Sequence, residues 1–267
     1  MPRDMKTKKK IRHSSLCKEM AFTVPTSWEN LTQQQLRHIV RLLWLFQDGP
    51  EWEYRVQCAA LLHFCSVEVV KPTDQGWLCR QHKTGDEFLL DPELLPSMLE
   101  TVAWTVHPER MRVRIEAIGQ YTAVDFELRT LMFGAYLACE NYFQAFLQTK
   151  STKHLAAMAR FLYQMPEADP SPEFKEEELM GVFLWFNAVK QLLGGSFPHF
   201  LKPSSSTGTS TGMENQMESV RAQIRLLTKG DVTKREYILD KTDTWAALEE
   251  LDALAMEAEE IKKKYGK

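Results

Sequence analysis

Residues 126–147, with the sequence FELRTLMFGAYLACENYFQAFL, decide the fold class of this chain. Most side chains in this stretch are apolar, and no proline interrupts it. Its polar residues recur mostly at helical spacings, so on a helix they would form one narrow stripe. A helix that is apolar in nearly every other direction is a buried one. We therefore predict a central helix over residues 126–147, with Thr122 and Asp125 at its N-terminal cap.

Helical patterns also lie on both sides of the central helix. Thr32 and Gln35 have the spacing of a capping box, in which side chains and backbone amides at a helix start pair with each other. The segment after Thr32 has apolar residues at helical spacings. Pro50 suits the first turn of a second helix, which should pack antiparallel to the first. Further helices are predicted to begin near Asp91, Ser151, Glu173, Glu214 and Asp243.

Two stretches have the pattern of β-structure. Residues 77–81 and 86–90 flank a turn that contains Gly85, and this arrangement predicts a β-hairpin. Residues 111–115 alternate apolar side chains with arginines, as a strand would. Exposed arginines on an edge strand block aggregation, and this ordinary role is favoured over a basic surface for nucleic acid.

The clearest boundary in the chain is KPSSSTGTSTG at residues 202–212. Such a segment cannot bury enough apolar surface to offset the entropy of ordering it, so it predicts a flexible linker. The chain is predicted to be mainly α, with four parts. These are a disordered basic tail at residues 1–20, a helical bundle body with the small β-hairpin at residues 21–201, the linker, and a C-terminal helical unit at residues 213–267.

The last predicted helix, residues 243–265, carries an apolar seam at spacings of three and four, and this seam needs a partner surface. A unit as small as residues 213–267 has a marginal core by itself. The surface that covers the seam could belong to the first helix of the same unit, the body, a second copy of the chain, or another protein. We assign partner binding to the seam residues Trp245, Leu248, Leu251, Ala255, Ala258 and Ile261.

The composition limits the class of protein. A net charge of -3 excludes a strongly basic chain, and five scattered cysteines do not make a disulfide framework, which indicates a reducing cytoplasm. No apolar stretch has the length of a signal peptide or of a membrane span. These features predict a soluble cytoplasmic protein with no membrane partner.

The first 13 residues are rich in Lys and Arg. A run of this kind is usually a solvated tail, but it could also contact the phosphates of a nucleic acid. The residues that would make such contacts are Lys6, Lys8, Lys9, Lys10 and Arg12.

Catalytic signatures are mostly absent from the sequence: there is no G-x-G-x-x-G, no P-loop and no H-E-x-x-H. A zinc site built from Cys58, Cys65, Cys79 and His82 is conceivable. Structural zinc sites use close cysteine pairs on turns, whereas Cys58 and Cys65 are too far apart and share a periodic apolar face. We therefore expect a protein that is not an enzyme, with no metal and no cofactor.

Several blocks of sequence, in a fixed order, resemble a family of poorly characterised proteins from Bacteroides-type prophages and related mobile elements. The resemblance covers about residues 22–201. The blocks are VPTSWENLT at 24–32, the predicted hairpin at 77–90, Phe133-Gly134 with Tyr142, LQT at 147–149, Leu162-Tyr163 and FPHF at 197–200.

The layout of the chain is also similar to that of phage tail assembly chaperones, which bind the tape-measure protein while the tail tube polymerises. Pro25, Trp28, Leu31 and Thr32 precede a helical body, which is followed by a linker and a small helical unit. The body is longer than in compact chaperones of that kind. The resemblance implies a non-enzymatic interaction protein with a tail component as its partner. The alternative is a nucleic-acid-binding accessory protein of a mobile element that uses the basic tail.

Overall fold

A computed structural model describes residues 9–11, 20–166, 173–201 and 213–265, with the backbone alone for 9–11, 20–21 and 213–220. Helices make up 62% of the described residues, and the strands are few and antiparallel, so the protein is mainly α with a small β part, as predicted. The chain forms two compact units, Met1–Val113 and Arg114–Lys267.

The helices of the first unit begin with α1 (Gln33–Phe46) and α2 (Trp52–Cys65), which pack against each other. The predicted capping box is confirmed: the amide of Gln35 donates to Thr32 Oγ1 at 3.2 Å, and the amide of Thr32 donates to Gln35 Oε1 at 3.0 Å. The second helix starts at Trp52 instead of Pro50, because Glu51 before it adopts a left-handed backbone conformation with φ of 55°. A short helix, α3 (Leu95–Glu100), follows the strands.

The described strands of the first unit form two sheets. β1 (Lys9–Ile11) pairs with β2 (Met20–Phe22), whereas β3 (Val67–Thr73), β4 (Gly76–Gln81) and β5 (Glu87–Leu90) form an antiparallel sheet in that order. The predicted hairpin is confirmed as β4 and β5, and β3 was not predicted. Arg80 in β4 pairs with Glu68 in β3 at 3.1 Å and with Glu87 in β5 at 2.8 Å, so its guanidinium ties all three strands together.

The predicted strand at residues 111–115 is wrong. Met111 and Ile115 are buried at this spacing, but the backbone between them joins no sheet. Met111 belongs to the first unit and Ile115 to the second. Residues 111–115 therefore show burial at a strand-like spacing, but their backbone lacks the hydrogen-bonded neighbouring strand that a β-strand requires.

Among the described residues, the second unit contains a two-stranded turn, β6 (Ala117–Ile118) and β7 (Tyr121–Thr122), and six α-helices. The three helices of its core are α4 (Phe133–Thr149), α5 (Thr152–Leu162) and α6 (Glu176–Ser196). Trp185 and Phe186 of α6 are fully buried, and Tyr163 donates its hydroxyl proton to the carbonyl oxygen of Ile115 at 2.7 Å. The remaining helices are α7 (Met213–Thr228), α8 (Arg235–Lys241) and α9 (Thr244–Tyr265).

The central helix is confirmed in type but not in its start, because α4 begins at Phe133 instead of Phe126. Leu128 adopts a left-handed conformation with φ of 62°, which a helix cannot continue through. Asp125 holds this loop instead of capping a helix: its carboxylate accepts the amide protons of Arg129 at 3.0 Å and of Thr130 at 2.9 Å. These hydrogen bonds lower the pKa of Asp125 against the opposing effect of burial, which is the largest single contribution.

The structure does not divide the chain at the predicted linker. Residues 202–212 lie outside the described residues, but the helices after them belong to the same compact unit as α4, α5 and α6. The predicted tail, residues 1–20, falls mostly outside the described residues; Lys9–Ile11 within it forms β1. Within the described ranges, no helix is long and apolar enough to cross a membrane.

Candidate partner-binding surface

Backbone hydrogen bonds fix the start of α9 beside the start of α4. The amide and the hydroxyl of Thr244 both donate to the carbonyl oxygen of Leu131, at 2.9 and 2.7 Å. In the other direction, the amide of Phe133 donates to the carbonyl oxygen of Thr242 at 2.9 Å. Thr244 is fully buried, so its hydroxyl needs this acceptor. These hydrogen bonds therefore fix the N-terminus of α9 relative to the N-terminus of α4.

Trp245 is held by the loop before α4. Its Nε1 donates to the carbonyl oxygen of Glu127 at 2.7 Å, and the guanidinium carbon of Arg129 lies 3.9 Å from its ring centroid. The side chains of Glu127 and Arg129 are also paired, at 2.7 Å. Phe197, just after α6, contacts the same indole edge-on, with centroids 5.2 Å apart. Trp245 therefore attaches the start of α9 to the rest of the second unit.

The middle of α9 is fixed by the segment that follows α6. One carboxylate oxygen of Asp252 accepts the amide protons of His199 and Phe200, both at 2.8 Å. His199 Nδ1 also lies 3.4 Å from a carboxylate oxygen of Glu259, one heptad further along the same face of α9. These contacts hold the segment Ser196 to Leu201 against α9, and Phe197 is its buried residue.

Helix α8 approaches α4 at a glycine. A Cβ atom at Gly134 would lie 2.9 Å from the carbonyl oxygen of Leu239 and 3.2 Å from the Cβ of Leu239, distances too short for ordinary contact. Only a residue without a side chain lets the two backbones come this close. Gly134 therefore permits the packing of α8 on α4.

The predicted seam of α9 divides into two halves. Leu248 and Leu251 are only 1% exposed, and Trp245 is held as described above, so these three residues pack within the second unit. Ala255 is half-buried. Ala258 is exposed, and Ile261 and Tyr265 are 59% and 73% exposed. The first half of the seam is buried within the same chain, in which α9 contacts both α4 and α7, while Ala258 and Ile261 remain exposed.

Other apolar side chains are exposed on the neighbouring helices. Val232, in the turn before α8, is 82% exposed, and Tyr237 of α8 is 65% exposed; Leu226 near the end of α7 is also exposed. We use the name C-terminal apolar surface for the exposed apolar side chains of the α9 seam together with three exposed apolar side chains of α7, α8 and the turn between them. Its members are Leu226, Val232, Tyr237, Ala258, Ile261 and Tyr265.

The residues predicted to contact nucleic acid are mostly outside the described structure. Lys6, Lys8 and Arg12 fall outside it, and Lys9 and Lys10 lie in β1, of which only the backbone is described. Nucleic-acid binding by this tail stays a prediction.

The conceivable zinc ligands gain no support from the structure. In the part of the chain that the structure describes, no group of three or more His, Cys, Asp or Glu residues could hold a metal ion. Burial raises the pKa of Cys65 to about 12 and also raises the pKa values of Cys58 and Cys79. Zinc binds the thiolate form, and burial disfavours that form at all three positions.

A histidine pair that the sequence did not indicate lies between α1 and α2. The rings of His38 and His63 stack with centroids 3.8 Å apart and planes 17° apart. Burial, His63 and Arg41 together lower the pKa of His38 to about 4, and burial lowers the pKa of His63. Neither the spacing of these histidines nor their neighbours in sequence carries a signal for the pair, because only the packing of two helices brings the rings together.

Comparison with family profiles, curated proteins and solved structures returns no match for the chain.

Proposed function

We propose that the protein is a non-enzymatic interaction protein of a phage or prophage, a tail assembly chaperone that binds a tail component such as the tape-measure protein. It binds this partner through the C-terminal apolar surface. The proposed prophage origin comes from the order of the sequence blocks, and the partner class comes from the layout of the chain, which is similar to that of phage tail assembly chaperones.

The observation that carries the proposal is the contrast between the two halves of α9. The first half is fixed by hydrogen bonds from Thr244 and Trp245 and by the burial of Leu248 and Leu251. The second half and the neighbouring helices leave large apolar side chains in solvent, including Val232, Tyr237 and Ile261. Single exposed apolar residues are normal on protein surfaces, but a succession of them on anchored helices supports a binding surface.

The arrangement favours binding because the surface is ordered in advance. A partner that covers these side chains gains roughly 1.5–3 kcal/mol for each Val, Leu or Ile that it fully buries. Anchored helices lose little conformational freedom on binding, so less of this gain is spent on ordering. A tail assembly chaperone needs such a surface, because it covers apolar segments of the tape-measure protein until these segments are incorporated into the tail.

The test is co-expression of the chain with the tape-measure protein encoded in the same element. We expect the two proteins to co-purify and the soluble fraction of the tape-measure protein to rise. Val232→Asp combined with Tyr237→Asp should abolish both effects, since each substitution puts a charge on the apolar surface. Gln34→Asp, at an exposed position of α1, is the control for added charge. Failure of the wild-type chain to retain the tape-measure protein would sink the proposal.

A further inference from the structure

The exposed end of α9 carries a heptad stripe. Leu254, Ala258, Ile261 and Tyr265 follow one another at spacings of four, three and four, which places them along one line of the helix. We call these four residues the terminal stripe. The line continues backwards through Leu251 and Ala247, which are both 1% exposed and covered by their own chain. In the terminal stripe Leu254 is half-buried and the other three residues are exposed. The apolar stripe from Ala247 to Tyr265 is thus buried at its N-terminal end and exposed at its C-terminal end.

Charges of opposite sign lie on one flank of the terminal stripe. Glu257 and Lys264 are one heptad apart, so they occupy equivalent positions beside the apolar line, and both are exposed. Acidic residues precede basic ones along this part of the helix, since Glu257, Glu259 and Glu260 are followed by Lys262, Lys263 and Lys264. When two copies of this helix run antiparallel, the acidic residues of one copy therefore lie beside the basic residues of the other.

We propose that the terminal stripe binds the terminal stripe of a second copy of this chain in an antiparallel pair. Tyr265 then lies against Leu254 of the second copy, and the small Ala258 lies against Ile261 of the second copy. Glu257 comes beside Lys264 of the second copy, and the two-fold symmetry makes this ion pair twice. The inference rests on the proposed function, because it assigns one part of the C-terminal apolar surface to self-association and leaves Val232 and Tyr237 for the client.

The attachment of α9 favours the antiparallel direction over the parallel one. In a parallel pair Glu257 would come beside Lys262 of the second copy, so charge alone allows both directions. The first half of α9 is buried within its own chain, where α9 contacts α4 and α7, and a parallel pair would bring these covered halves side by side. An antiparallel pair overlaps only the open ends, over roughly 17 Å at about 1.5 Å per residue. The attached helices of the two copies then lie at opposite ends of the pair.

The pairing is weak because the stripe is short. It has fewer than two full heptads, whereas a standard stable interface buries about 800 Å² on each partner. We expect a reversible dimer that dissociates on dilution, with a dissociation constant in the micromolar range or above.

The first test is sedimentation velocity of the full chain over a hundredfold range of concentration. The wild type should shift from monomer to dimer. Ile261→Asp should weaken association by about a hundredfold or more, because a symmetric dimer loses the apolar contact twice. The matched control is Met256→Asp, which adds the same charge to an exposed position on the opposite face of α9 and should leave association unchanged. A wild type that is monomeric throughout, or equal effects of the two variants, would overturn the inference.

Charge exchange tests the direction of the pair. Glu257→Lys alone and Lys264→Glu alone should each weaken association a few-fold, because each creates like-charge contacts. The two substitutions together should restore it in an antiparallel pair. In a parallel pair the restoring combination would instead be Glu257→Lys with Lys262→Glu, and that result would overturn the proposed direction.

Client binding separates this inference from the proposed function. Self-association without retention of the tape-measure protein would remove the proposed function and leave the dimer standing. Retention of the tape-measure protein by a monomeric chain, lost on Ile261→Asp, would show that the client covers the terminal stripe. That outcome would overturn the dimer and support the function.

Discussion

The guanidinium carbon of Arg129 lies 3.9 Å from the centroid of the Trp245 ring, and the indole Nε1 donates to the carbonyl oxygen of Glu127, two residues before that arginine. A loop between β7 and α4 thus holds the first turn of the last helix from two directions. The stability of this attachment decides which part of α9 can meet a partner.

Removing the Trp245 side chain should loosen this attachment. We expect Trp245→Ala to lower the free energy of unfolding by about 3 kcal/mol, at the lower end of the range for large aromatic side chains because Trp245 is only half-buried. Trp245→Phe keeps most of the ring and loses the hydrogen bond to Glu127, so about 1 kcal/mol is expected. Urea unfolding followed by circular dichroism gives both values. Equal losses for the two variants would mean that ring packing contributes little.

Phe143 tests the core of the second unit. It is 3% exposed, and its ring contacts Phe183 and Phe186, both with centroids 5.4 Å away. Phe143→Ala should lower the free energy of unfolding by about 3–5 kcal/mol through lost burial and the cavity left behind. Leu147→Ala, one turn later at an exposed position near the end of α4, is the control and should cost well under half as much. A loss below about 1 kcal/mol at Phe143 would remove α4 from the core.

The stacked histidines predict a pH dependence of stability in the first unit. The folded state lowers the pKa of His38 from 6.5 to about 4, so the folded chain binds fewer protons than the unfolded chain between these values. Stability is therefore fully present above pH 6.5 and is lost as the pH falls toward 4. His63 contributes in the same direction, since burial lowers its pKa as well.

Substitution isolates this effect. His38→Gln should flatten the fall in urea midpoint between pH 6.5 and pH 4, because glutamine does not titrate. His82→Gln, at an exposed position in the hairpin turn, should leave the slope unchanged. An unaltered slope in His38→Gln would show that the pair does not cause the pH dependence.

Gly134 tests the contact between α4 and α8. Alanine has the higher helix propensity by about 1 kcal/mol, so a glycine inside a helix is normally improved by this change. At Gly134 the new Cβ would meet the carbonyl oxygen of Leu239 at 2.9 Å, and the two helices would have to separate. We expect Gly134→Ala to destabilise the chain by about 1–3 kcal/mol. Gly195→Ala in α6 is the matched control, because its Cβ meets nothing within 4 Å, and it should stabilise the chain slightly.

The sequence pattern correctly predicted those elements whose ends depend on interactions between residues close in sequence. The capping box at Thr32 and the β4–β5 hairpin depend on residues close in sequence, and both were found. The start of α4 was missed because it depends on distant residues: Trp185 donates to the carbonyl oxygen of Phe126, and Trp245 to that of Glu127. These carbonyl groups are therefore taken out of any helix by partners far along the chain.

The strand β3 and the covered half of the seam were missed for related reasons. Pro72 weakens the strand pattern of residues 67–73, yet proline is tolerated here because β3 is an edge strand, with a register shift between Val69 and Lys71. In α9 the periodicity located the apolar seam correctly. It could not show that Leu248 and Leu251 are buried within the chain while Ile261 is exposed, since a helical repeat carries no information about what lies opposite.

The last prediction concerns cleavage within residues 203–212. Their content of Ser, Thr, Gly and Pro predicts that a protease cuts there first. The sequence pattern suggested that the part after the cut would come away as a separate unit. The contacts of the C-terminal helices argue otherwise, since separation would break the hydrogen bonds that Thr244 and Trp245 donate to Leu131 and Glu127 and would remove the close contact between α8 and Gly134.

We therefore expect the two fragments to co-elute in gel filtration under native conditions and to separate only in denaturant. The same cut in Gly134→Ala should release the C-terminal fragment at a lower denaturant concentration, because the packing of α8 on α4 is weakened while α9 keeps its contacts. Gly195→Ala should release it at the wild-type concentration. Fragments that separate without denaturant, with the N-terminal one still folded, would establish the C-terminal helices as an independent unit after all.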